Sequence, residues 1–401
     1  MFHFIPDGTI TTTEGFKAAG IHCGLKKHRK DLALIYTDFP CHAAGTFTLN
    51  KAEAAPNIIS KKLIQQNNKV RAILINSGNA NACTGIKGTA NAILAQTYLS
   101  KKLFINSEEV IISSTGVIGQ QLPIGKVLNG IDKIIPELSE NGGDDAAEAI
   151  MTTDLRKKSF AVSVQLEEGI VTIGGICKGS GMIMPNMATM LAFITTDAAI
   201  ESDMLQKLLS NAVDSTFNKI SVDGETSTND MVILLANGVS GIKINEGTWN
   251  YLNFLNGLCA ICSEMAKAIV SDGEGATKLI TISVNNAKDK SDANAIAKAL
   301  AISPLVKTAM NGNDANWGRI ISAAGNSGVY FNPDKVTIKF DHLPILLPNY
   351  IADFCEEEAK RVLNKNEVTL SLDLDEGKES STWWTCDFSE EYVRINASYR
   401  S

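Results

Sequence analysis

Lys178-Gly-Ser-Gly-Met-Ile-Met-Pro-Asn-Met-Ala-Thr-Met-Leu-Ala-Phe-Ile-Thr-Thr-Asp197 is the stretch from which the rest of the chain is read. Its glycines allow tight turns and close backbone approach. Pro185 removes an amide donor and biases Met184 toward an extended conformation. From Met190 to Ile194 the residues turn apolar in the manner of a buried strand. Thr189 therefore stands between a turn-rich lead-in and a strand, where a hydroxyl can be held as a nucleophile. A threonine hydroxyl is weak without a base, and one solution cuts the chain before it so that its own α-amine takes that role. The local pattern leaves a second account open. Met182, Met184, Met187 and Met190 equally suit irregular gaps in a core, and a buried threonine hydroxyl commonly bonds only to backbone.

Around this stretch, strands and helices alternate. The patterns predict short strands at Leu32–Tyr36 and Gly45–Leu49, then a buried strand at Val70–Ile75. The polar run Asn76-Ser-Gly-Asn-Ala-Asn-Ala-Cys-Thr-Gly85 reads either as a functional loop or as turns held by Asn side chains. A helix is predicted over Thr89–Lys102, a strand over Glu109–Ser113, and a loop over Ser114-Thr-Gly-Val-Ile-Gly119. A strand ending in Thr-Gly turns a hydroxyl and a backbone N–H toward one point, the donors that a tetrahedral oxyanion needs. Helices follow at Ile124–Leu138 and, capped by Asp144, up to Met151. Phe160–Gln165 and Ile170–Ile176 form a hairpin that leads into the central stretch. Beyond it, Asp203–Asn218 and Trp249–Val270 read as helices, Met231–Leu235 and Leu279–Val284 as strands, and Asp292–Ala301 as a helix. The tail reads as strand-like, with Lys335–Phe340 and Val368–Leu374 as its strands. The alternation indicates an α/β protein of layered sheets covered by helices, in two lobes.

Composition sets the outer limits. A chain of 401 residues, 44% hydrophobic and 20% charged, has room for two domains or one large α/β unit. A net charge of -7 argues against a general nucleic-acid partner. No apolar run reaches the ~18 residues of a bilayer span, and Met1–Ala18 has no secretory pattern, so a cytoplasmic location away from any membrane is expected. Among the eight cysteines only Cys259 and Cys262 form a Cys-x-x-Cys pair, inside a helical segment and without a histidine to complete a zinc set. They read as reduced core thiols, and no metal is expected. The glycines of Ser271-Asp-Gly-Glu-Gly-Ala-Thr-Lys278 do not have the order of a phosphate-binding loop.

The string Lys178–Leu191 resembles the signature of the bifunctional ornithine acetyltransferase and N-acetylglutamate synthase family. The resemblance extends to Asp223-Gly-Glu-Thr-Ser-Thr-Asn-Asp230, Asp272-Gly-Glu-Gly-Ala-Thr-Lys278, Asn311-Gly-Asn-Asp-Ala-Asn-Trp-Gly-Arg-Ile320 and the closing Tyr392–Ser401. It implies a self-processing, N-terminal-threonine acyltransferase fold, cut between Ala188 and Thr189 into an alpha chain, residues 1–188, and a beta chain, residues 189–401. It further implies that Thr189 carries the acetyl group, that Thr115 and Gly116 form the oxyanion hole, and that Thr152, Lys178, Thr189, Glu274, Asn396 and Ser401 contact substrate. Family members often end in Thr where this chain has Ser401, which keeps the hydroxyl. By charge, Lys178 suits a substrate carboxylate or an assisting role to the base, and Glu274 suits a substrate ammonium.

The reaction this implies is acetyl transfer from N-acetylornithine to glutamate in two half-reactions through an acetyl-threonine, within arginine biosynthesis. It requires no cofactor; acetyl-CoA is a co-substrate in those members that also make N-acetylglutamate from it. The two fragments are expected to stay together and to pair into a dimer of such pairs. Two other functions are compatible with the residues alone: a self-processing amidase or aminopeptidase that resolves its acyl-enzyme with water, and a non-catalytic protein that binds a small ligand in its glycine loops.

Overall fold

The computed structural model describes residues 1–184 and 190–397. In chain order its elements begin with β1 (Phe2–Phe4), β2 (Phe16–Ile21), β3 (Leu32–Phe47), α1 (Ala55–Gln65), β4 (Val70–Asn79), α2 (Gly85–Leu103) and β5 (Val110–Val117). Then come α3 (Ile124–Ile134), α4 (Gly143–Ile150), β6 (Lys158–Gln165), β7 (Ile170–Lys178), β8 (Leu191–Thr196), α5 (Ser202–Ser215) and β9 (Ile220–Ser221). β10 (Met231–Ala236), α6 (Trp249–Ser271), β11 (Leu279–Ala287), α7 (Lys290–Ile302), α8 (Pro304–Asn311) and α9 (Trp317–Gly325) follow. The last are β12 (Thr337–Phe340), β13 (Leu343–Leu346), α10 (Glu356–Leu363), β14 (Glu367–Asp373), β15 (Glu379–Cys386) and α11 (Glu390–Ala397). The chain divides into two compact units, one of Met1–Asn218 with Glu225–Met265 and one of Lys219–Gly224 with Ala266 onward.

In the first unit, nine strands among the described residues form one sheet, ordered β1-β6-β7-β8-β10-β3-β4-β5, with β2 paired to β3. β8 runs antiparallel to β7 and parallel to β10. Every residue of β8 and β10 is buried, which is why both read as unbroken apolar runs rather than as alternating ones. On β3 the pleat separates two cores. Leu32 and Leu34 pack with Ala92 and Leu99 of α2 and Val127 and Ile131 of α3. Ala33 and Ile35 pack with Ala146, Ala149 and Ile150 of α4. Helices thus cover both faces of the sheet. In the second unit a six-stranded sheet, again among the described residues, has the order β13-β12-β14-β11-β15-β9. Ile280, Ile282 and Val284 of its β11 pack with Ile296 and Leu300 of α7 and Ile320 of α9.

Several sequence expectations change. The two strands expected before residue 50 are one sixteen-residue strand, β3. It bends where exposed Asp38, Phe39 and Pro40 interrupt the pairing with β4, between Tyr36 and Cys41. Pro40 lacks the amide that the ladder needs, which made the strand look broken. β5 continues through Thr115 and Gly116 to Val117 instead of opening into a loop after Ser113. The helix from Ile124 ends at Ile134, and Pro136 confines Ile135–Glu137 to a 3-10 turn. α4 starts at Gly143 with Gly142 in the capping position; Asp144 lies in its first turn and accepts no capping bond. The tail beyond Lys335, read as strands, also holds α10 and α11. By length and composition α6 is apolar enough to cross a membrane. Its Gly257 nevertheless lies against Val164 and Ile173 of the sheet, and Phe254, Leu258 and Ile261 are fully buried.

The seat of α4 depends on one small residue. A Cβ on Gly20 of β2 would stand 1.9 Å from the carbonyl oxygen of Asp145 and 2.3 Å from its carbon, both α4 backbone. Backbone does not rotate away as a side chain does. Gly20→Ala should therefore cost about 3 kcal/mol, at the upper end of overpacking effects, seen as a lower thermal midpoint. An unchanged midpoint would show that α4 shifts freely on the sheet.

Candidate active site

The C-terminal ends of β4, β5 and β7 bring the first unit's polar residues together. Gly78 of β4 stands opposite Gly116 of β5. Gly116 has φ 131°, and a Cβ there would lie 2.4 Å from the Gly78 carbonyl carbon and 2.6 Å from Asn79 N. Only glycine permits the two strand ends to approach so closely. Side chains fix the turn beyond them. Ser114 Oγ donates to Asn76 Oδ1 at 2.6 Å, and Asn76 Nδ2 donates to the Asn79 carbonyl at 2.8 Å. Asn229 Nδ2 donates to the carbonyls of Ala80 and Ser114 at 2.7 and 2.9 Å. The polar run after Val70–Ile75, expected as a loop or turns, instead continues β4 as far as Asn79 and leaves the sheet only there. Its Asn-held exit props the strand that carries half-buried Thr115 and Gly116.

Lys178 ends β7. Its side chain is buried, and its Nζ donates to Thr152 Oγ1 at 2.7 Å. Both stand on Asp154, a fully buried carboxylate. Asp154 accepts from Thr152 N at 2.9 Å, Gly179 N at 2.8 Å and Lys158 Nζ at 2.8 Å, and lies 3.8 Å from Lys178 Nζ. Burial alone would raise its pKa, but the charges of Lys178 and Lys158 outweigh that and hold it well below the usual carboxylate range. Asp154 thus fixes the end of the α4 connection and the start of the central stretch with one charge. Past Gly179, Ile183 bridges to Thr226, whose Oγ1 donates to the Met184 carbonyl at 2.9 Å. Ala188 and Thr189 lie outside the described residues, as does Ser401.

Lys26 stands beside this group, on the loop between β2 and β3. The buried Asp31 carboxylate shapes that loop by accepting from the amides of Cys23, Gly24 and Lys26 at 2.6, 3.1 and 2.8 Å. Lys26 Nζ donates to the carbonyls of Met151 at 2.5 Å and Lys30 at 2.8 Å. Burial lowers its pKa to about 8; Asp31 opposes the fall, and the charges of Lys178 and Arg29 add to it.

In the second unit, Asn396 Nδ2 on α11 donates to Glu274 Oε2 at 2.9 Å. Glu274 is buried in the turn between α6 and β11. Gly275 in that turn has φ 71°, and a Cβ on it would meet Tyr392 N at 2.5 Å. Buried Asp387 secures the turn, accepting from Thr277 N, Thr277 Oγ1, Lys278 N and Asn311 Nδ2 at 2.8, 2.6, 2.9 and 2.6 Å. The structure thus pairs Thr152 with Lys178 in one unit and Glu274 with Asn396 in the other.

A family model described as the ArgJ family matches residues 17–401. The chain belongs to the ArgJ family. An arginine biosynthesis bifunctional protein ArgJ from Thermotoga neapolitana is 47% identical over 393 residues, covering 96% of this chain and 99% of that protein. One from Chlorobaculum tepidum is 48% identical over 389 residues, covering 97% and 96%. Among solved structures, the ArgJ protein of Bacillus halodurans is 38% identical, with a TM-score of 0.45, over 47% of this chain and 98% of that one. An ornithine acetyltransferase from Mycobacterium tuberculosis, in complex with ornithine, is 36% identical with a TM-score of 0.44, over 47% and 100%.

Asp154 and Lys26 of this ArgJ family chain escaped the sequence reading. Asp154 had a usable signal, an acid beside two threonines and four residues before Lys158 (in a strand, not a helix). Lys26 had none, because in Lys26-Lys-His-Arg-Lys30 it looks like one of several solvated cations. Among the described residues no group of His, Cys, Asp and Glu is placed to hold a metal. Burial raises the thiol pKa of both Cys259 and Cys262.

Replacing the buried carboxylate gives a direct measure of its work. Asp154→Asn should destabilise the protein by about 3 kcal/mol at neutral pH, since it removes the buried charge that faces Lys158 and Lys178. The carboxylate holds a proton less readily folded than unfolded, so its contribution is complete above about pH 4 and fades as acid protonates the folded form. Denaturation across a pH series should show a gap between wild type and variant that is flat above that pH and shrinks below it. A gap that widens in acid would contradict this account.

Proposed function

We propose that this ArgJ family enzyme cuts itself before Thr189 and then moves an acetyl group from N-acetylornithine to glutamate. The observation that carries the reading is the Lys178–Thr152 bond at the end of β7, because that strand leads directly into the matching motif. In the first step Thr189 Oγ attacks the Ala188 carbonyl, the acyl group passes from nitrogen to oxygen, and water hydrolyses the ester. Residues 1–188 and 189–401 result, and Thr189 gains a free α-amine. That amine takes the hydroxyl proton as Oγ attacks the acetyl carbonyl, and returns it to the departing ornithine nitrogen. The α-amine of glutamate then attacks the acetyl ester and leaves as N-acetylglutamate. Thr115 and Gly116 stabilise the oxyanion of both half-reactions. Lys178, steered by Thr152 and Asp154, takes the substrate carboxylate; Glu274, already accepting from Asn396, is assigned the substrate ammonium, and Ser401 completes the set.

The acetyl group passes between amines, so the transfer as written uses no cofactor, and acetyl-CoA enters only as an alternative donor. Sheet order supports lasting association of the pieces. β8 and β10 belong to residues 189–401 and lie side by side between β7 and β3 of residues 1–188. Ladders of six residue pairs join β8 to β7 and β10 to β3. Two such pairs of pieces form the working assembly, in the cytoplasm where its amino-acid substrates are.

A denaturing gel of the purified protein should show two bands, and Thr189→Ala should show one. A fully active, uncut protein would end this mechanism. Incubation with N-acetylornithine should release ornithine catalytically only when glutamate is present; equal release without it would indicate hydrolysis. Thr115→Ala should lower kcat about a hundredfold, the usual effect of one oxyanion donor, with KM little changed.

A further inference from the structure

Around Thr152 the described residues gather Lys26, Arg29 and Lys178 with the carboxylates of Asp31 and Asp154. Asp154 is already engaged by Lys158 and two amides. Asp31 is engaged by the three amides of its own loop. Lys30 pairs elsewhere, with Asp145 and Glu148.

Two ammonium groups of this set keep unspent donors. An ammonium has three N–H donors. Lys26 spends two of them on the carbonyls of Met151 and Lys30. Lys178 spends one on Thr152 Oγ1, with Asp154 at 3.8 Å. Each therefore retains a donor, and the two charges repel each other across Met151–Thr152. The Lys26 stem also runs along the oxyanion strands, since a Cβ on Gly78, opposite Gly116, would lie 3.0 Å from its Cγ. An anion placed between them would relieve that repulsion.

The inference rests on the acetyl-transfer reading and deepens it. N-acetylornithine carries one carboxylate, for which Lys178 suffices. Glutamate carries two. We propose that Lys26 is a specificity-determining residue for the second half-reaction, in which its ammonium receives the carboxylate that glutamate has and ornithine lacks. Lys26 then selects the acceptor by charge, while its bonds to the Met151 and Lys30 carbonyls hold the head group in place. The lowered affinity of Lys26 for its proton, caused first by burial, matches a cation that awaits its partner.

The test uses the full-length enzyme, Lys26→Met and Lys26→Arg, with glutamate and glutamine compared as acceptors. Glutamine keeps the shape of glutamate without the side-chain charge. Wild type should prefer glutamate strongly, and Lys26→Met should lower kcat/KM for glutamate about tenfold or more, as expected where a charge-assisted contact is lost. The same variant should change glutamine use far less, and should raise the KM for glutamate well beyond that for N-acetylornithine. Lys26→Arg should keep most of the preference. A loss shared equally by both acceptors, or by both substrates, would make Lys26 a support of the fold and overturn the proposal. An undiminished preference in Lys26→Met would overturn it too. Wild-type enzyme that makes no acetyl-threonine from N-acetylornithine would instead remove the reading beneath it.

Discussion

A single buried carboxylate organises the first unit's polar site. Asp154 accepts from Thr152 N, Gly179 N and Lys158 Nζ, and it neutralises part of the charge that Lys178 brings into the interior. A carboxylate so enclosed persists only with its partners in place, since removal of either side leaves an unpaired charge away from water. The arrangement consequently links two segments distant in sequence, the exit of α4 and the exit of β7. Thr152 and Lys178 meet because both are tied to the same anion.

Around that anchor the fold supplies rigidity from two directions. Helices on both faces bury β8 and β10 completely, so the strand that follows the central stretch has no freedom to change register. Gly116 lets β4 and β5 close to a separation that no side chain there would permit. In the second unit Asp387 does for the Gly273–Lys278 turn what Asp154 does for Thr152: one carboxylate gathers several donors and stiffens the loop that carries Glu274. Loops held by buried carboxylates keep their shape without the continuous ladders of strands.

The sequence was most legible where burial was simple. β4, β10 and β11 announced themselves as apolar runs, and the β6–β7 hairpin as alternation around Glu167-Glu168-Gly169. The family motif identified the chemistry far more sharply than any periodicity did. What stayed hidden depended on contacts between distant residues. β2, Phe16-Lys-Ala-Ala-Gly-Ile21, looks like loop until α4 is seen pressing on Gly20. β15 begins with Glu379, Ser380, Ser381 and Thr382, and becomes a strand through its pairing with β11. α9 starts inside a polar motif, capped by Asn316 Oδ1 accepting from Arg319 N at 3.1 Å. Lys26 could not be distinguished from its charged neighbours, because the nest around Asp31 that turns it inward exists only in the folded chain.

The position of β8 and β10 in the middle of the first sheet has a consequence for the history of each molecule. Both seams of that sheet close while the polypeptide is still continuous, so the scaffold is assembled by an intramolecular search. Under the proposed cut before Thr189, the same assembly would need two separate molecules to meet, and the entropy of a connected chain would no longer be on its side. Cut and denatured, the protein would regain its shape only as a concentration-dependent encounter, whereas an uncut chain would refold alone. A protein so cut would be written once: its durability would be a matter of how slowly it opens rather than how readily it returns.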